Sequence, residues 1–296
     1  MSKNPIFTGC GVAIVTPFNE DTSVNYKSLE KLLEFHIANG TDSIVICGTT
    51  GESATLTPQE HSDVIKFTCD VVNHRIPVIA GTGSNETAYA IELSQDAEKA
   101  GADAMLVVTP YYNKCSQRGL VKHYNAIADN VSKPIIIYNV PSRTGVNVLP
   151  STYAELCEHN NIIATKEASG NISQIAETIA LCGDKLDVYS GNDDQIVPLM
   201  SLGGKGVISV LSNICPKLAH DIPTLYLEGK VKESAELQLK YLELINAMFM
   251  DVNPIPVKVA MQMMGFDVGP LRMPLCEMDD VKTAKLESVL KKYNLI

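Results

Sequence analysis

The chain has 296 residues, of which 45% are hydrophobic and 20% are charged. It is long enough for one (β/α)8 barrel, which takes roughly 250 residues, and short for two full-size domains. The formal net charge of −10 argues against a nucleic-acid partner, because an acidic surface repels phosphate backbones. With no signal peptide and no apolar run near the roughly 20 residues of a membrane span, we expect a cytoplasmic protein whose scattered cysteines stay reduced.

Short apolar runs rich in β-branched residues predict strands that are buried on both faces. These runs cover residues 11–16, 43–47, 77–80, 104–108, 134–138, 162–166, 187–190 and 206–210. Helical patterns lie between them. One of these helices is expected to begin at Thr57, with Pro58 in its first turn and Glu60 as the acidic partner of a capping box.

Strands that alternate with helices predict an α/β fold of the (β/α)8, or TIM-barrel, type. A doubly wound open sheet is the alternative, but no phosphate-binding loop follows an early strand. After about residue 225 the pattern is helical, and residues 231–250 predict one long helix. We therefore predict a catalytic barrel over residues 1–224 and a small C-terminal helical domain over residues 225–296.

In barrel enzymes the active site lies at the C-terminal ends of the strands, so the polar residues that follow each run are its candidates. Those after the second, fourth and fifth runs are Thr49, Thr50, Tyr111, Tyr112, Tyr138 and Arg143. Tyrosine can donate or accept a proton, and the planar fork of arginine binds carboxylates. Each pattern taken alone also has an ordinary interpretation: a glycine-rich turn, packed tyrosines or a surface arginine.

Lys166 ends the sixth run, IIATK, and is the sharpest candidate for catalysis. Burial at a strand end penalises the charged ammonium, and the neutral amine is the form that attacks a ketone to make a Schiff base. The alternative is a lysine paired with the adjacent Glu167. The six histidines show no metal-binding spacing, so a metal-dependent aldolase is disfavoured and no metal is expected.

Taken together and in order, the segments GTTGES (48–53), TPYYN (109–113), YNVPSRTG (138–145) and TKEASGN (165–171) resemble the dihydrodipicolinate synthase family. This family belongs to the pyruvate-dependent class I aldolases, and the resemblance extends over residues 9–258. N-Acetylneuraminate lyases are similar, but Thr49 and Arg143 favour the synthases. The remaining alternatives are an aldolase for another 2-oxo acid adduct and a barrel that binds a small carboxylate without catalysis.

The resemblance implies a mechanism in which Lys166 forms a Schiff base with pyruvate and Tyr138 acts as proton donor and acceptor. Tyr138 would connect through Thr50 to Tyr112, a tyrosine lent by a neighbouring subunit, with Thr49 supporting the relay. The resulting enamine would attack L-aspartate 4-semialdehyde in the pathway to diaminopimelate and lysine. A homo-oligomer, dimer or tetramer, is therefore expected.

The resemblance also implies the substrate contacts. Arg143 would hold the carboxylate of the second substrate, Thr50 would contact substrate, and Gly191 and Ile208 would do so through their backbones. Neither a metal nor an organic cofactor would be needed, because the lysine itself serves as electron sink.

Many family members are inhibited by lysine in a cleft between subunits. The residues that match this allosteric site are Ser53, Ala54, His61, Asn85 and Tyr111. Pro58 stands where some sensitive members have histidine, and Tyr89 stands where they have glutamate. Because the lost glutamate would have paired with the effector's ammonium group, we expect weak or absent feedback by lysine.

Overall fold

The computed structural model describes residues 4–296. Within this range, eight parallel strands close into a barrel: each strand pairs with the next along the chain, and the eighth pairs with the first. The strands are β1 (Gly9–Ala13), β2 (Ser43–Ile46), β3 (Val78–Gly81), β4 (Ala104–Val108), β5 (Ile135–Asn139), β6 (Ile162–Glu167), β7 (Asp187–Ser190) and β8 (Gly206–Ser209). The predicted TIM barrel is confirmed.

The first strand ends earlier than its apolar run predicts. β1 stops at Ala13, although the run continues to Thr16. Beyond Ala13, the backbone N–H of Val15 donates to the Asn213 side chain at 3.1 Å, and Asn213 Nδ2 donates to the Ala13 carbonyl at 2.9 Å. On this edge of the segment a side chain therefore replaces a strand as hydrogen-bond partner, while on the other edge the Ile14 backbone N–H still donates to the Val45 carbonyl of β2 at 3.2 Å.

Helices surround the barrel and connect its strands. They are α1 (Tyr26–Ala38), α2 (Pro58–Val72), α3 (Thr87–Ala100), α4 (Gln117–Ala128), α5 (Pro141–Thr144), α6 (Pro150–Leu156), α7 (Ile172–Cys182), α8 (Ile196–Met200) and α9 (Pro216–Leu227). The start of α2 carries the predicted capping box: Thr57 Oγ1 accepts from the Glu60 backbone, and the Glu60 carboxylate accepts from the Thr57 backbone.

The C-terminal segment consists of α10 (Val231–Lys240), α11 (Leu242–Ala247), α12 (Ile255–Met263) and α13 (Asp280–Lys292). The prediction of one helix over residues 231–250 is wrong, because Tyr241 (φ −102°, ψ 10°) separates α10 from α11. Gln238 of α10 is bonded to the backbone of Asp194 and Val197, whereas α11 buries Leu244 against the main core. The two parts thus make different attachments to the barrel. The predicted domain boundary after residue 224 falls within α9 and stays a prediction.

Apolar side chains fill the barrel interior, as is usual for this fold. The interior cluster includes Phe7, Val45, Ile79, Leu106, Ile136, Tyr138, Ile163, Tyr189 and Ile208. Phe7, which precedes β1, stacks on Tyr189 with ring centroids 4.5 Å apart, and the Tyr189 hydroxyl donates to the Phe7 carbonyl at 2.6 Å. The segment before β1 is thereby fixed inside the barrel.

Two further expectations concern compartment and redox state. Among residues 4–296, no helix is both long and apolar enough to cross a membrane. All of the cysteines lie in this range, and none of them forms a disulfide. Cys10 and Cys47 are buried among apolar residues, and burial raises the pKa of both thiols.

Candidate active site

Lys166 lies near the C-terminal end of β6 and is only 5% exposed. In the ladder it stands between Tyr138 of β5 and Tyr189 of β7. Its Nζ lies 4.4 Å from the centroid of the Tyr138 ring, so the electron-rich face of the phenol meets the amine. The structure therefore brings together the predicted nucleophile and the predicted proton carrier.

Glu167 does not pair with Lys166, so that alternative is wrong. Successive side chains of a strand point to opposite faces, and the Glu167 carboxylate lies on the other face of β6. There it accepts hydrogen bonds from Asn139 Nδ2 at 3.1 and 3.2 Å, from the Tyr153 hydroxyl at 3.1 Å and from the Ser169 backbone at 2.8 Å. These neutral donors satisfy the carboxylate, while burial raises its pKa.

Gly191 leaves room for the lysine side chain. A Cβ at position 191 would lie 3.0 Å from Lys166 Cε and 2.8 Å from Ala168 Cβ. The first distance is tight and the second is shorter than real Cβ contacts, so any larger residue would press on the lysine. Ile208, the other predicted backbone contact, is fully buried on β8 in the same interior cluster as Tyr138.

A cavity of about 540 Å³ lies at the C-terminal ends of β2 to β5. Predicted site residues in its wall are Thr49, Ser53, Ala54, His61, Tyr111, Tyr138 and Arg143. Tyr138 connects this cavity to Lys166, because it faces both. Thr50 is buried beside the cavity and its Oγ1 accepts a hydrogen bond from Asn253 Nδ2 at 3.0 Å.

Arg143 is presented by the short helix α5, directly after β5. Pro141 begins α5 and Gly145 follows it at φ +71°, a left-handed conformation that glycine adopts without strain. The arginine is exposed and lines the cavity, and its Nη2 donates to the Asn253 carbonyl at 3.2 Å. Most of its donors therefore remain available for a ligand carboxylate.

Tyr112 is not part of the site within one chain. Its side chain is 89% exposed and does not line the cavity. Its φ of +71° is uncommon for a bulky residue and indicates a backbone held in a specific turn. The structure thus presents this tyrosine at the surface, where the predicted role requires a neighbouring subunit.

The predicted allosteric residues lie at one end of the same cavity, with one exception. His61 Nε2 lies 2.8 Å from the Gly81 carbonyl, and burial lowers the pKa of this histidine. Tyr89 also lines the cavity. Asn85 is absent from its wall, and the Asn85 carbonyl accepts from Asn113 at 2.9 Å.

Three buried polar residues near the site were not predicted. Asp193, shortly after β7, accepts hydrogen bonds from the backbone of Val210 and Leu211, and burial raises its pKa. Lys258 of α12 pairs with Glu52 at 2.9 Å, with both side chains 1% exposed. Asn253 is the third. The adjacent acids Asp193 and Asp194 after the seventh run are a signal that could have pointed to Asp193, whereas no local pattern marks Lys258 or Asn253 as a buried polar residue.

Metal ligands do not gather at this site. Within residues 4–296 there is no group of three or more histidine, cysteine, aspartate or glutamate side chains that could hold a metal ion.

Comparisons with known proteins identify the family of the chain. The model of the dihydrodipicolinate synthetase family matches residues 6–293. A 4-hydroxy-tetrahydrodipicolinate synthase of Lachnoclostridium phytofermentans is 59% identical over 292 residues, which are 98% of this chain and 99% of that protein. The dihydrodipicolinate synthase structure from Aquifex aeolicus gives a TM-score of 0.96 at 46% identity, covering 98% of this chain and 99% of that one. The chloride-inhibited synthase from Acinetobacter baumannii, complexed with pyruvate, gives 0.95 at 45% identity with the same coverage. The chain belongs to the dihydrodipicolinate synthetase family.

Proposed function

We propose that this chain is a 4-hydroxy-tetrahydrodipicolinate synthase, a lyase that condenses pyruvate with L-aspartate 4-semialdehyde in lysine and diaminopimelate biosynthesis. The observation that carries the proposal is the Lys166 amine. It is buried at the mouth of the barrel beside the Tyr138 ring, and no carboxylate of residues 4–296 lies within ion-pairing distance of it. The names of the similar proteins and the pyruvate complex of one of them support this choice of substrates.

In the first half of the reaction, the neutral Lys166 nitrogen attacks the keto carbon of pyruvate. Water leaves after the carbonyl oxygen is protonated, and an imine joins lysine and substrate. Tyr138 is placed to give and take these protons. The protonated imine withdraws electrons, so a methyl proton can leave and an enamine forms.

In the second half, the enamine carbon attacks the aldehyde carbon of L-aspartate 4-semialdehyde, and the aldehyde oxygen becomes a hydroxyl group. The amino group of the second substrate then adds to the imine carbon and displaces Lys166, which closes the ring. Arg143, at the cavity wall with free donors, holds the carboxylate of this substrate. Because the lysine is the electron sink, the reaction requires neither metal nor organic cofactor.

The two threonines and Tyr112 have supporting roles in this reaction. Thr49 shares the cavity wall with Tyr138 and supports the proton relay. Thr50, which is buried beside the cavity, contacts substrate through its hydroxyl group. Tyr112 acts in the site of a neighbouring subunit, and its exposure leaves it accessible to one. The proposed assembly is a cytoplasmic homo-oligomer, either a dimer or a tetramer. Gly191 and Ile208 contact substrate through their backbones.

Reductive trapping tests the proposal. The protein is incubated with pyruvate and borohydride, and its mass is compared with that of Lys166→Ala. The expected result is a gain of one reduced pyruvate, mapped to Lys166 by peptide analysis and absent from the variant. Lys122→Ala, at an exposed position of α4, is the control that should trap like the wild type. A wild-type protein that stays unmodified would refute the proposal.

Turnover separates the synthase from the alternative aldolase. The purified protein is given pyruvate with L-aspartate 4-semialdehyde in one assay and N-acetylneuraminate in another. We expect consumption of the semialdehyde and no cleavage of the sialic acid. Cleavage without condensation would instead identify a lyase on the same scaffold.

A further inference from the structure

Asn253, on the segment between α11 and α12, contacts two residues of the proposed site. Its Nδ2 donates to Thr50 Oγ1 at 3.0 Å, and its backbone carbonyl accepts from Arg143 Nη2 at 3.2 Å. It is 7% exposed and lines the cavity. Building on the proposed function, we infer that Asn253 is a positioning residue: its amide directs the Thr50 hydroxyl proton to the carboxylate of the bound keto acid.

The argument starts from the polarity of the hydrogen bond. A carboxamide nitrogen only donates, so Thr50 Oγ1 is the acceptor in this contact. A hydroxyl group has one proton of its own, and within residues 4–296 the Thr50 hydroxyl has no acceptor for it. Because Thr50 Oγ1 accepts from Asn253, the Thr50 hydroxyl proton stays available to donate to a ligand. A carboxylate accepts such a proton strongly, because a hydrogen bond to a charged group is roughly twice as strong as a neutral one.

The position of Asn253 is set by the helix that follows it. Lys258, five positions further on in α12, forms the buried ion pair with Glu52 at 2.9 Å. Glu52 lies two residues after Thr50 in the turn that follows β2. The C-terminal segment therefore holds this turn at two points, and the amide of Asn253 is brought to Thr50 from a residue 203 positions away.

The two contacts of Asn253 can be separated by substitution. Arg143 is held by the backbone carbonyl of residue 253, which any side chain retains. Only the contact with Thr50 depends on the amide. The other amide atom, Oδ1, is buried and has no hydrogen-bond partner within residues 4–296. Within the described residues, Nδ2 is thus the amide atom of Asn253 that forms a hydrogen bond. Replacing it changes only the contact with Thr50.

The test compares Asn253→Asp with Asn253→Ala. Aspartate has the same shape, but when ionised it only accepts and so captures the Thr50 proton. Alanine removes the donor and leaves the proton free to rotate. The readout is the pyruvate concentration that gives half-maximal reductive trapping on Lys166, measured from about pH 5.5 to about pH 8.5, where a buried carboxyl group titrates. Asn246→Asp, at an exposed position of α11, is the matched control.

We expect the half-saturating pyruvate concentration of Asn253→Asp to rise roughly tenfold at high pH, as for the loss of a hydrogen bond to a charged group. The rise should shrink as pH falls, because a protonated aspartate donates as the amide does. Asn253→Ala should show a rise of roughly twofold to threefold that does not depend on pH. Asn246→Asp should match the wild type.

The same substitution in a Thr50→Val background removes the other explanation. A new carboxylate could repel pyruvate directly, and that repulsion would persist without the hydroxyl. We expect most of the Asn253→Asp effect to disappear with Thr50→Val. An equal effect in both backgrounds, or unchanged pyruvate binding in Asn253→Asp, overturns the inference. Failure of the wild type to trap pyruvate would instead reject the proposed function itself.

Discussion

Lys166 is a buried lysine whose charge is not neutralised by a partner carboxylate. Burying an ammonium group is costly, and the face of the Tyr138 ring lies 4.4 Å from the Lys166 nitrogen. The adjacent Glu167 carboxylate is bonded to neutral donors on the opposite face of the strand. This arrangement leaves the Lys166 nitrogen without a carboxylate partner at the mouth of the barrel. A lysine paired with Glu167 would have been stable and inert.

The first prediction at this scale concerns Arg143. Arg143→Ala should raise KM for L-aspartate 4-semialdehyde about tenfold to hundredfold, since a charge-assisted hydrogen bond contributes about 1.5–3 kcal/mol. Half-saturation of pyruvate trapping should stay unchanged, because the arginine is assigned to the second substrate. Steady-state kinetics with both substrates varied measures the two effects. Arg118→Ala, at an exposed position of α4, is the control. An equal loss of pyruvate binding would contradict the assignment.

The second prediction concerns regulation by lysine. Tyr89 lines the cavity together with Ser53 and His61, and it offers no carboxylate to an ammonium group. Millimolar L-lysine should therefore inhibit the purified enzyme weakly or not at all, whereas Tyr89→Glu should increase the inhibition. Initial rates across a lysine series measure both. Strong inhibition of the wild type would show that the tyrosine does not prevent effector binding.

Among the elements, α12 is connected to the turn after β2 through the Lys258–Glu52 ion pair. Lys258 Nζ also donates to the carbonyls of Thr16 and Pro270, at 3.2 and 2.7 Å, and it lies 4.6 Å from the Phe18 ring centroid. Its burial lowers its pKa, while Glu52 opposes that change. The helix is thus connected to the β2 turn and to the segment after β1.

Lys258→Met should destabilise the protein by about 3–5 kcal/mol, because it leaves the Glu52 carboxylate buried and unpaired. The double variant Glu52→Gln with Lys258→Met should recover part of this loss. Urea unfolding measures the free energies. Lys66→Met, which breaks an exposed pair with Asp70 on α2, should have little effect. A small loss in Lys258→Met would show that water reaches the carboxylate.

The elements also show where sequence patterns succeed. The strands were recognised because parallel strands buried on both faces read as continuous apolar runs. The break at Tyr241 was missed, because the apolar spacing continues across it and the bonds of Gln238 to residues 194 and 197 are tertiary. The early end of β1 has the same origin, since Asn213 lies far along the chain.

On the scale of the whole molecule, His220 of α9 contacts Asp42, which lies in the turn between α1 and β2. Its Nδ1 lies 2.7 Å from Asp42 Oδ2, which also accepts from the Cys10 backbone at 2.7 Å. Thr224 Oγ1 lies 3.3 Å from the other ring nitrogen. The hydrogen bond to Asp42 raises the pKa of His220. The contact therefore links α9, which follows β8, to β1, the strand with which β8 pairs.

The contact predicts a specific pH dependence of stability. Because the folded pKa of His220 is raised above the unfolded value of about 6.5, its contribution is fully present below that value. The contribution is lost as pH rises through the folded pKa. His220→Asn should therefore lower Tm more in mildly acidic buffer than in alkaline buffer. Melting curves across pH measure this, with exposed His74→Asn as control. A loss independent of pH would mean that the ring acts through packing alone.

The predicted site was largely recognisable because its residues follow strand ends in short, distinctive segments. Thr49, Tyr138 and Arg143 line one cavity, and the Lys166 amine contacts the Tyr138 ring. The sequence does not reveal what holds them: Asn253 and Lys258 reach the site from the C-terminal segment, and only the folded chain brings them near. Tyr112 differs from these residues, because its predicted role lies in the site of a neighbouring subunit and cannot be judged from one chain.

Phe7 has a consequence for the lifetime of the covalent intermediate. Its ring closes the strand-start end of the barrel under Tyr189, at the opposite end from the chemistry. Hydrolysis of a lysine-bound adduct requires a water molecule, and the buried Phe7 ring stands in the way of solvent at this end. A smaller residue at position 7 would admit solvent from below and shorten the adduct's survival, although every catalytic group would remain in place.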